Sequence, residues 1–359
     1  MRHTFITKIC TRPLLALLLL LSAFAAARPA MAEESGVDVK EIVLGHMSDA
    51  YDWHITTWRG HHISIPLPVI VRGEDGTWHV FSSARFHESA DGTYEGFYLN
   101  ADANGKIYER TADGRSVKPY DFSITKDVVQ IWIVVALMAF IFIGSARWYK
   151  GRKAGDEAPK GGVGLVEMFV MYINDDVIRP SIGEKHYRPY APYLLTAFFF
   201  IFITNLLGLL PIFPGGANIT GNINITFFLA VCTMLLVNLF GNREYWKEIF
   251  WPPVPTWLKV PAPIMPIVEL FGIFTKPFAL MVRLFANMMG GHAIILSLTC
   301  VIFITCRLGA VIGAPLSIVS FLLMIFMNCL ELLVAFIQAY VFTMLSAVFI
   351  GLAHPEHEH

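Results

Sequence analysis

Long runs of apolar residues without charged side chains dominate the last two thirds of the chain. One run covers about Val128–Ala146, and the stretch Pro189–Asn242 contains no charged residue at all. A transmembrane helix needs about 20 consecutive apolar residues. The pattern therefore predicts one span in the first run and two in the second, Tyr190–Leu210 and Thr220–Gly241, divided by the Pro- and Gly-rich segment 211–216.

The last two apolar segments are too long for ordinary membrane spans. Pro263–Cys306 has 44 residues and Gly309–Ala353 has 45. A helix of that length extends about 66 Å, roughly twice the ~30 Å thickness of the hydrocarbon layer. Either each segment contains two short helices or each is one steeply tilted helix. Because neither contains a polar loop, the sequence favours a hairpin of two long, tilted helices.

The segment Gly164–Ile182 alternates apolar and charged residues at helical spacing. Its apolar positions are Val166, Phe169, Val170 and Ile173, and its charged ones include Glu167, Asp175, Asp176 and Arg179. A segment this polar does not span a membrane, so we expect an amphipathic helix that lies on the membrane surface.

The amino terminus has the pattern of a secretory signal peptide. Arg2, Lys8 and Arg12 precede the apolar stretch Pro13–Ala27, and Ala30-Met31-Ala32 follows it. A basic start, a short apolar run and an A-x-A site are typical of a cleaved export signal. A retained anchor helix is the alternative.

Basic residues indicate the orientation of the spans. Five of them follow the first span directly, and basic residues also follow the third. Since such residues mark the cytoplasmic side, the first span runs from outside to inside, as an exported amino terminus requires. The basic residues are Arg147, Lys150, Arg152, Lys153 and Lys160 after the first span, and Arg243 and Lys247 after the third.

Charged residues and turn signals return between Glu33 and about Thr125. Four Asp-Gly or Asn-Gly pairs, at 75–76, 91–92, 104–105 and 113–114, separate short runs such as Thr77–Phe81 and Thr93–Leu99. Such pairs are typical of hairpin turns, so we expect a small exported β-rich domain. The first few of its six histidines could bind a metal together with Asp49 and Asp52, although packing on half-buried strand faces is the simpler interpretation. The six histidines are His46, His54, His61, His62, His79 and His87.

The predicted organisation is thus an all-α polytopic membrane protein with five transmembrane helices, one amphipathic surface helix and a small exported domain. Its regions are a signal peptide (1–32), an exported β-rich domain (33–126), a membrane domain (127–353) and a cytoplasmic tail (354–359).

Composition agrees with this organisation and excludes several classes of function. The chain is 55% hydrophobic and 15% charged, whereas soluble domains carry about 25% charged residues. The net charge of −1 provides no basic surface for nucleic acid. Five cysteines without paired spacing indicate neither a disulfide framework nor a CxxC metal site.

Five ionisable residues interrupt the predicted hairpin: Glu269, Lys276, Arg283, His292 and Glu331. Such residues in mid-membrane cost at least about 2.5–3.5 kcal/mol and by default mark an ion path or a partner contact. Arg283 lies near the middle of its segment and does not deprotonate in proteins, so it suits an electrostatic barrier. Histidine and a buried carboxylate can carry protons.

Polar neighbours share the faces of these residues. Asn287 lies four residues after Arg283, and Gln338 lies seven residues after Glu331, with Tyr340 nearby. Residues at these spacings lie on one side of a helix. The pattern of one fixed cation beside titratable groups is that of a proton path with a barrier.

The segment Met281–His292, which reads MVRLFANMMGGH, resembles the signature of subunit a of F-type ATP synthases. Four other blocks resemble the same family in the family's order: TNLLGLLP (204–211), TGNINIT (220–226), PIMPIVELFGIFTKP (263–277) and ELLVAFIQAYVFTML (331–345). The resemblance covers about Val128–Ala353. The exported domain and signal resemble a longer form found in some bacteria.

The resemblance implies a stator subunit of the membrane sector. Subunit a lies beside a ring of c subunits and provides two half-channels that pass protons to and from the buried carboxylates of the ring. The implied partners are the c-ring, the b-subunit peripheral stalk, the catalytic head of the synthase and membrane lipid. The implied location is the bacterial inner membrane, with a periplasmic mature amino terminus and a cytoplasmic carboxyl terminus.

The resemblance also assigns residues. The family's essential arginine corresponds to Arg283, which stabilises the passing carboxylate and blocks a leak between the half-channels. Asn287, Gln338 and Glu269 match polar positions of the path. His292 and Glu331 match a coupled channel pair that carries Glu and His in some bacterial members, so the pair is swapped here. We expect Lys276 at a wall or helix contact.

The chain has no GxxxxGK[ST] loop, so we expect no nucleotide site, no cofactor and no catalysis by this subunit alone. The alternatives are an ion-coupled secondary transporter with an exported sensing domain, and a scaffold or receptor, which would leave Arg283 unexplained. The transported ion, H⁺ or Na⁺, stays open, with H⁺ as the default.

Overall fold

The computed structural model describes residues 43, 45, 47–58, 61–89, 91–100, 103, 105–111, 115–152, 157–210, 215–251, 264–305 and 310–354. The predicted signal peptide and most of the predicted tail lie outside the described residues. The chain divides into two compact units. One comprises residues 47–294 and 326–359, and the other comprises residues 1–46 and 295–325.

The region before the first long helix is rich in antiparallel β-structure. Its strands form three sheets, with the orders β1-β2, β4-β3-β9 and β5-β6-β7-β8. A short helix, α1 (Ala84–Glu88), follows β4. The strands are β1 (Asp52–Trp58), β2 (His61–Pro66), β3 (Pro68–Arg72), β4 (Trp78–Ser82), β5 (Thr93–Tyr94), β6 (Phe97–Asn100), β7 (Lys106–Arg110), β8 (Ser116–Val117) and β9 (Tyr120–Asp121).

The core of this β-rich region forms between the sheets. Val69 and Val71 of β3 are fully buried and alternate with exposed neighbours, as a strand with one covered face requires. They pack with Phe97 and Ile107 of the four-stranded sheet. Tyr51 donates a hydrogen bond to Asp121, and burial together with that carboxylate raises the pKa of the Tyr51 hydroxyl.

One of the short runs named in the sequence analysis contains a tight turn. The run Thr93–Leu99 contains β5 and the start of β6, joined by Glu95 and Gly96 with φ of 51° and 85°. Positive φ at both central residues is the geometry of a two-residue hairpin turn. The Glu-Gly pair therefore supplies a turn inside this run, in addition to the Asp-Gly and Asn-Gly pairs that the sequence analysis named.

Five helices among the described residues are long and apolar enough to cross a membrane. They are α2 (Lys126–Tyr149), α5 (Tyr187–Gly208), α6 (Ile223–Phe240), α8 (Ile264–Thr305) and α9 (Ala310–Leu352). Each corresponds to one predicted span, and the two long segments are each a single helix. A further short helix, α7 (Arg243–Phe250), follows α6.

The predicted amphipathic helix is interrupted by one wider turn. Helix α3 (Gly162–Ile173) continues as a π-helical turn, Asn174–Ile178, and then as α4 (Arg179–Ile182). Pro180 lacks the N–H that a regular helix would donate to the carbonyl of residue 176, and the wide turn lies directly before it.

The membrane helices of the larger unit pack around aromatic and small residues. Phe198 of α5 is fully buried, and its ring lies 6.0 Å from that of Phe336 on α9. Gly351, near the end of α9, has the backbone of Ser181 so close that a Cβ atom there would clash with it. The absence of a side chain therefore lets α9 contact α4.

The smaller unit contains the end of α8 and the beginning of α9. Thr305 and Ser317 form a hydrogen bond of 3.0 Å, and the Thr299 hydroxyl lies 3.6 Å from the sulfur of Met324. These contacts join the two helices as antiparallel neighbours within this unit.

Candidate functional site

A buried histidine–glutamate pair joins the two long helices. Nδ1 of His292 on α8 forms a hydrogen bond with Oε1 of Glu331 on α9. The Glu331 side chain is 3% exposed and that of His292 is 15% exposed. Helix α9 has no other acidic residue. The structure thus brings together His292 and Glu331, the two residues that the family resemblance paired.

Two glycines permit this geometry. A Cβ atom on Gly291 would lie only 2.8 Å from Oε1 of Glu331, so a larger residue would displace the carboxylate. A Cβ atom on Gly208, at the end of α5, would lie 3.6 Å from Nε2 of His292 and 3.4 Å from the carbonyl oxygen of Ala217. The end of α5 therefore lies close to the second imidazole nitrogen, with no side chain from residue 208 between them.

Each partner of the pair keeps one buried polar atom unpaired. Nε2 of His292 and Oε2 of Glu331 have no hydrogen-bond partner in the described part of the chain. A buried polar atom without a partner costs about 1–3 kcal/mol, and such atoms in native proteins call for an explanation such as a catalytic role or an ordered water. Imidazole nitrogens and carboxylate oxygens are both groups that can accept and release a proton.

Further buried polar groups lie next to the pair. Asn205 of α5 donates a hydrogen bond from Nδ2 to the backbone carbonyl of Ala335, at 3.4 Å. Ala335 lies on α9, one helical turn after Glu331. The Thr220 hydroxyl donates to Oδ1 of Asn205 at 2.7 Å. Gln130 of α2 is fully buried and accepts a 2.9 Å hydrogen bond from the N–H of Ala217. A layer of amide and hydroxyl groups thus extends from α9 to α2.

This layer continues to the start of α2. Asn222 donates from Nδ2 to Oδ2 of Asp127 at 2.8 Å, and Asp127 is 4% exposed. The backbone N–H of Asp127 donates to Asp49 of the β-rich region at 3.2 Å, and Lys106 lies 3.6 Å from the same carboxylate. Polar groups are therefore continuous from the β-rich region into the helices.

Sequence reasoning missed Asp127 and Gln130. The first apolar run begins only at Val128, which leaves Asp127 outside it, and a single glutamine in a span forms no pattern. The available signal was their spacing of three residues at the beginning of an apolar helix, which places both on one face.

Arg283 and Asn287 lie on a different surface. Both are exposed, which agrees with the prediction that they share one face of the helix. The apolar side chains of Phe278 and Val282 beside them are exposed as well. Arg283 has no ion-pair partner among the described residues. It precedes His292 by nine residues, or about 14 Å along a helix axis.

The remaining predicted site residues are spread along the helices. Gln338 is buried on α9. Glu269 is half-buried near the start of α8, beside Tyr245 of α7, where burial and the Glu269 charge raise the pKa of the tyrosine. Lys276 lies over the ring of Phe349 at 5.8 Å, which is the helix contact expected for it. The ring of Tyr340 stacks on that of Tyr172.

The histidines of the β-rich region give no metal centre where their side chains are described. His79 is paired with Glu95 at 2.7 Å and His87 lies 3.7 Å from Asp52. No group of three metal-ligating residues occurs among the described residues. The side chains of His46, His54, His61 and His62 lie outside that set.

Comparisons with known proteins match both regions of the chain. A family model described as "ATP synthase A chain" matches residues 128–351, and one described as "Domain of unknown function (DUF8433)" matches residues 42–122. Three curated relatives extend the first match. "ATP synthase subunit a 2" of Chlorobaculum tepidum is 43% identical over 257 residues, which cover 67% of this chain and 68% of that protein.

The other two have similar coverage. "ATP synthase subunit a" of Chlorobium phaeobacteroides is 44% identical over 246 residues, or 67% of this chain and 68% of that protein. "ATP synthase subunit a" of Myxococcus xanthus is 41% identical over 253 residues, or 67% of this chain and 77% of that protein.

Proposed function

The chain belongs to the ATP synthase A chain family, and on that premise we propose that it is the proton-channel subunit in the stator of a rotary F-type ATP synthase. In this role it provides two half-channels that carry protons to and from carboxylates on a ring of c subunits. Nucleotide chemistry belongs to the catalytic head and not to this chain.

The observation that carries the proposal is the buried His292–Glu331 pair with its two unpaired atoms. A purely structural pair would satisfy its buried atoms within the protein. A pair that accepts a proton at one atom and releases it at another needs both free atoms. The hydrogen bond between the two residues lets a proton pass from one to the other.

The polar layer supports an inlet from the exported side. Asp127 lies where the β-rich region meets α2, and Gln130 follows one helical turn later. The hydroxyl of Thr220 and the side-chain amide of Asn205 lie between the start of α2 and α9. We place the proton route along these groups to the His292–Glu331 pair, with Gln338 farther along α9.

The exposed position of Arg283 supports a contact with another chain. A permanent cation on an apolar helix surface in a membrane is costly unless an anion faces it, and the described part of this chain supplies none. A c-ring carboxylate fits this requirement. The arginine then stabilises the deprotonated carboxylate, and its charge repels a proton that would cross directly between the half-channels.

The other assignments follow from position along α8. Asn287 shares the exposed face of Arg283 and is placed at the same contact. Glu269 precedes Arg283 by 14 residues, about 21 Å along the axis, on the side opposite His292. It therefore belongs to the half-channel that opens to the cytoplasm, near Tyr245.

We further propose that the chain lies in the bacterial inner membrane with residues 33–126 outside and residues 354–359 in the cytoplasm, after removal of a signal peptide (1–32). The membrane domain comprises residues 127–353, with α8 and α9 steeply tilted. The b-subunit stalk holds this subunit against rotation. H⁺ is the proposed ion.

The decisive experiment is ATP-driven proton pumping in inverted membrane vesicles that contain Arg283→Ala, compared at equal assembly with the native chain. We expect pumping to be abolished because the passing carboxylate loses its counter-charge. Arg243→Ala, on the short helix α7, is the matched control and should pump normally. The c subunits and catalytic subunits must co-purify with both variants.

Native pumping rates in Arg283→Ala would contradict the proposal and would favour the secondary transporter. Passive proton leak provides a second readout. If Arg283 is the barrier, vesicles with Arg283→Ala lose an imposed pH gradient faster than vesicles with Arg243→Ala.

A further inference from the structure

One sheet of the β-rich region carries an aromatic surface that nothing in the described structure covers. Its most exposed members are Trp78 (56%), Val80 (69%), Tyr120 (72%) and Phe122 (63%). The rings of Trp78 and Phe122 contact each other with centroids 5.6 Å apart. We call these four side chains, together with Arg72, the aromatic patch.

The strand register places the aromatic patch on one face. Arg72 of β3 is directly opposite Trp78 on one side and Tyr120 on the other. Ile70 of β3 is opposite Val80, and the backbone N–H of Phe122 donates a hydrogen bond to the carbonyl of Ile70. Because the alternate residues of β3 are buried in the core, the whole set points away from it.

The chemistry of the patch is that of a membrane interface. Tryptophan and tyrosine concentrate at the level of lipid headgroups, where an amphipathic ring contacts both acyl chains and water. The Arg72 guanidinium lies 5.9 Å over the Trp78 ring. Lys118, two residues before Tyr120, is exposed as well. Basic residues beside apolar ones add attraction to anionic lipids.

The patch is tied directly to the first membrane-spanning helix. Phe122 precedes Lys126, the first residue of α2, by four residues, and Tyr120 precedes it by six. These separations are at most about 14 Å and 20 Å for an extended chain. The N–H of Ile124 donates to the carbonyl of Pro68 on β3 at 3.1 Å, so the sheet extends almost to the helix.

Contacts at the start of α2 fix this arrangement. The N–H of Lys126 donates to the carbonyl of Ala50 at 2.9 Å, and its Nζ donates to the carbonyl of Ser48 at 3.2 Å. Lys126 is itself buried. The β-rich region therefore does not hang from a flexible linker, and its sheet is held beside the surface from which α2 emerges.

We propose that the aromatic patch binds the headgroup layer of the outer leaflet, with a preference for anionic phospholipid, and so holds the β-rich region flat on the membrane beside the entry of α2. The occupant is lipid because the patch is continuous with a membrane span and combines aromatic, apolar and basic side chains. A protein partner is the competing occupant.

The test uses spin labels on the intact complex in vesicles of phosphatidylglycerol and phosphatidylcholine. Single cysteines replace Val80 or Phe122 in a chain whose native cysteines are serine, after native pumping has been verified. Tyr108→Cys is the matched control, because Tyr108 is an aromatic residue on the outward face of the opposite sheet, across the core from the patch.

Labels at positions 80 and 122 should collide several-fold more often with oxygen, which dissolves in lipid, and several-fold less often with a water-soluble nickel chelate than the label at position 108. Removing phosphatidylglycerol, or introducing Arg72→Gln with Lys118→Gln, should make the labels at positions 80 and 122 more accessible to the nickel chelate. Equal exposure of all three labels to the chelate would overturn the proposal. Protection from both reagents that does not depend on lipid composition would indicate a protein partner and would overturn it equally.

Discussion

At the scale of single residues, two glycines lie beside the His292–Glu331 pair, and a methyl group would have a different effect at each of them. A methyl group at Gly208 would make ordinary contacts of 3.4 and 3.6 Å, whereas a methyl group at Gly291 would lie 2.8 Å from Oε1 of Glu331. The first substitution fits the fold but covers the approach to Nε2 of His292. The second displaces the carboxylate itself.

We therefore predict different results for Gly208→Ala and Gly291→Ala. Gly208→Ala should assemble normally and lower the rate of ATP-driven proton pumping, since proton carriers reach the imidazole less easily. Gly291→Ala should also reduce the amount of assembled complex, because overpacking typically costs about 1–3 kcal/mol. Quantifying the subunit in purified complex and measuring pumping per complex distinguishes the two effects. Native pumping in Gly208→Ala would exclude an approach from α5.

Single residues were predictable from the sequence where charge stood out against an apolar background. Arg283, His292 and Glu331 were singled out as candidate residues in this way, and the structure brings together the last two, which the resemblance paired. The sequence could not predict which buried atoms stay unpaired, because that depends on the packing of α5 and α9. Gln130 was not predictable because an isolated amide in an apolar run is equally typical of a structural hydrogen bond.

At the scale of elements, close helix contacts rest on residues without side chains. Gly351 of α9 contacts the backbone of Ser181 on α4, whereas a methyl group on Gly144 of α2 would have no neighbouring atom within 4 Å among the described residues. Both glycines lie in helices, so alanine raises the intrinsic helix propensity equally in each. Any difference between the two substitutions must come from packing.

Gly351→Ala should lower the thermal stability of the detergent-solubilised complex, and Gly144→Ala should not. The physical reason is that α9 must move away from α4 to accommodate the methyl group, which opens the contact around Ile182 and Ile350. The measurement is the temperature at which the subunit aggregates or dissociates. Equal stability of both variants would show that the end of α9 packs differently.

Helices and strands were predictable from the sequence where the length of an apolar run determines the element. The positions of the five long apolar helices were predicted correctly because each coincides with a long hydrophobic run, and α8 and α9 are each continuous because no polar loop interrupts them. The π-helical turn before Pro180 and the hairpin turn at Glu95 and Gly96 were not predicted. Both are decided by local backbone geometry that hydropathy does not report.

At the scale of the whole molecule, two separated half-channels require that positions on either side of Arg283 communicate with different aqueous compartments. Gly208 lies beside His292, on the route proposed from the exported side. Glu269 lies beside Tyr245, on the route proposed to the cytoplasm. Along α8, Arg283 stands between His292 and Glu269, about 14 Å from one and 21 Å from the other.

This arrangement predicts one-sided chemical access. With the native cysteines replaced, Gly208→Cys should react with a membrane-impermeant thiol reagent in right-side-out vesicles only, and Glu269→Cys in inverted vesicles only. Phe140→Cys, which is exposed in the middle of α2, should react from neither side because lipid surrounds it. Reaction of either channel position from both sides would mean that water passes Arg283. Such a continuous path would dissipate the roughly 2.3 kcal/mol that each charge gains per 100 mV, so a protein with that property could not couple proton flow to rotation.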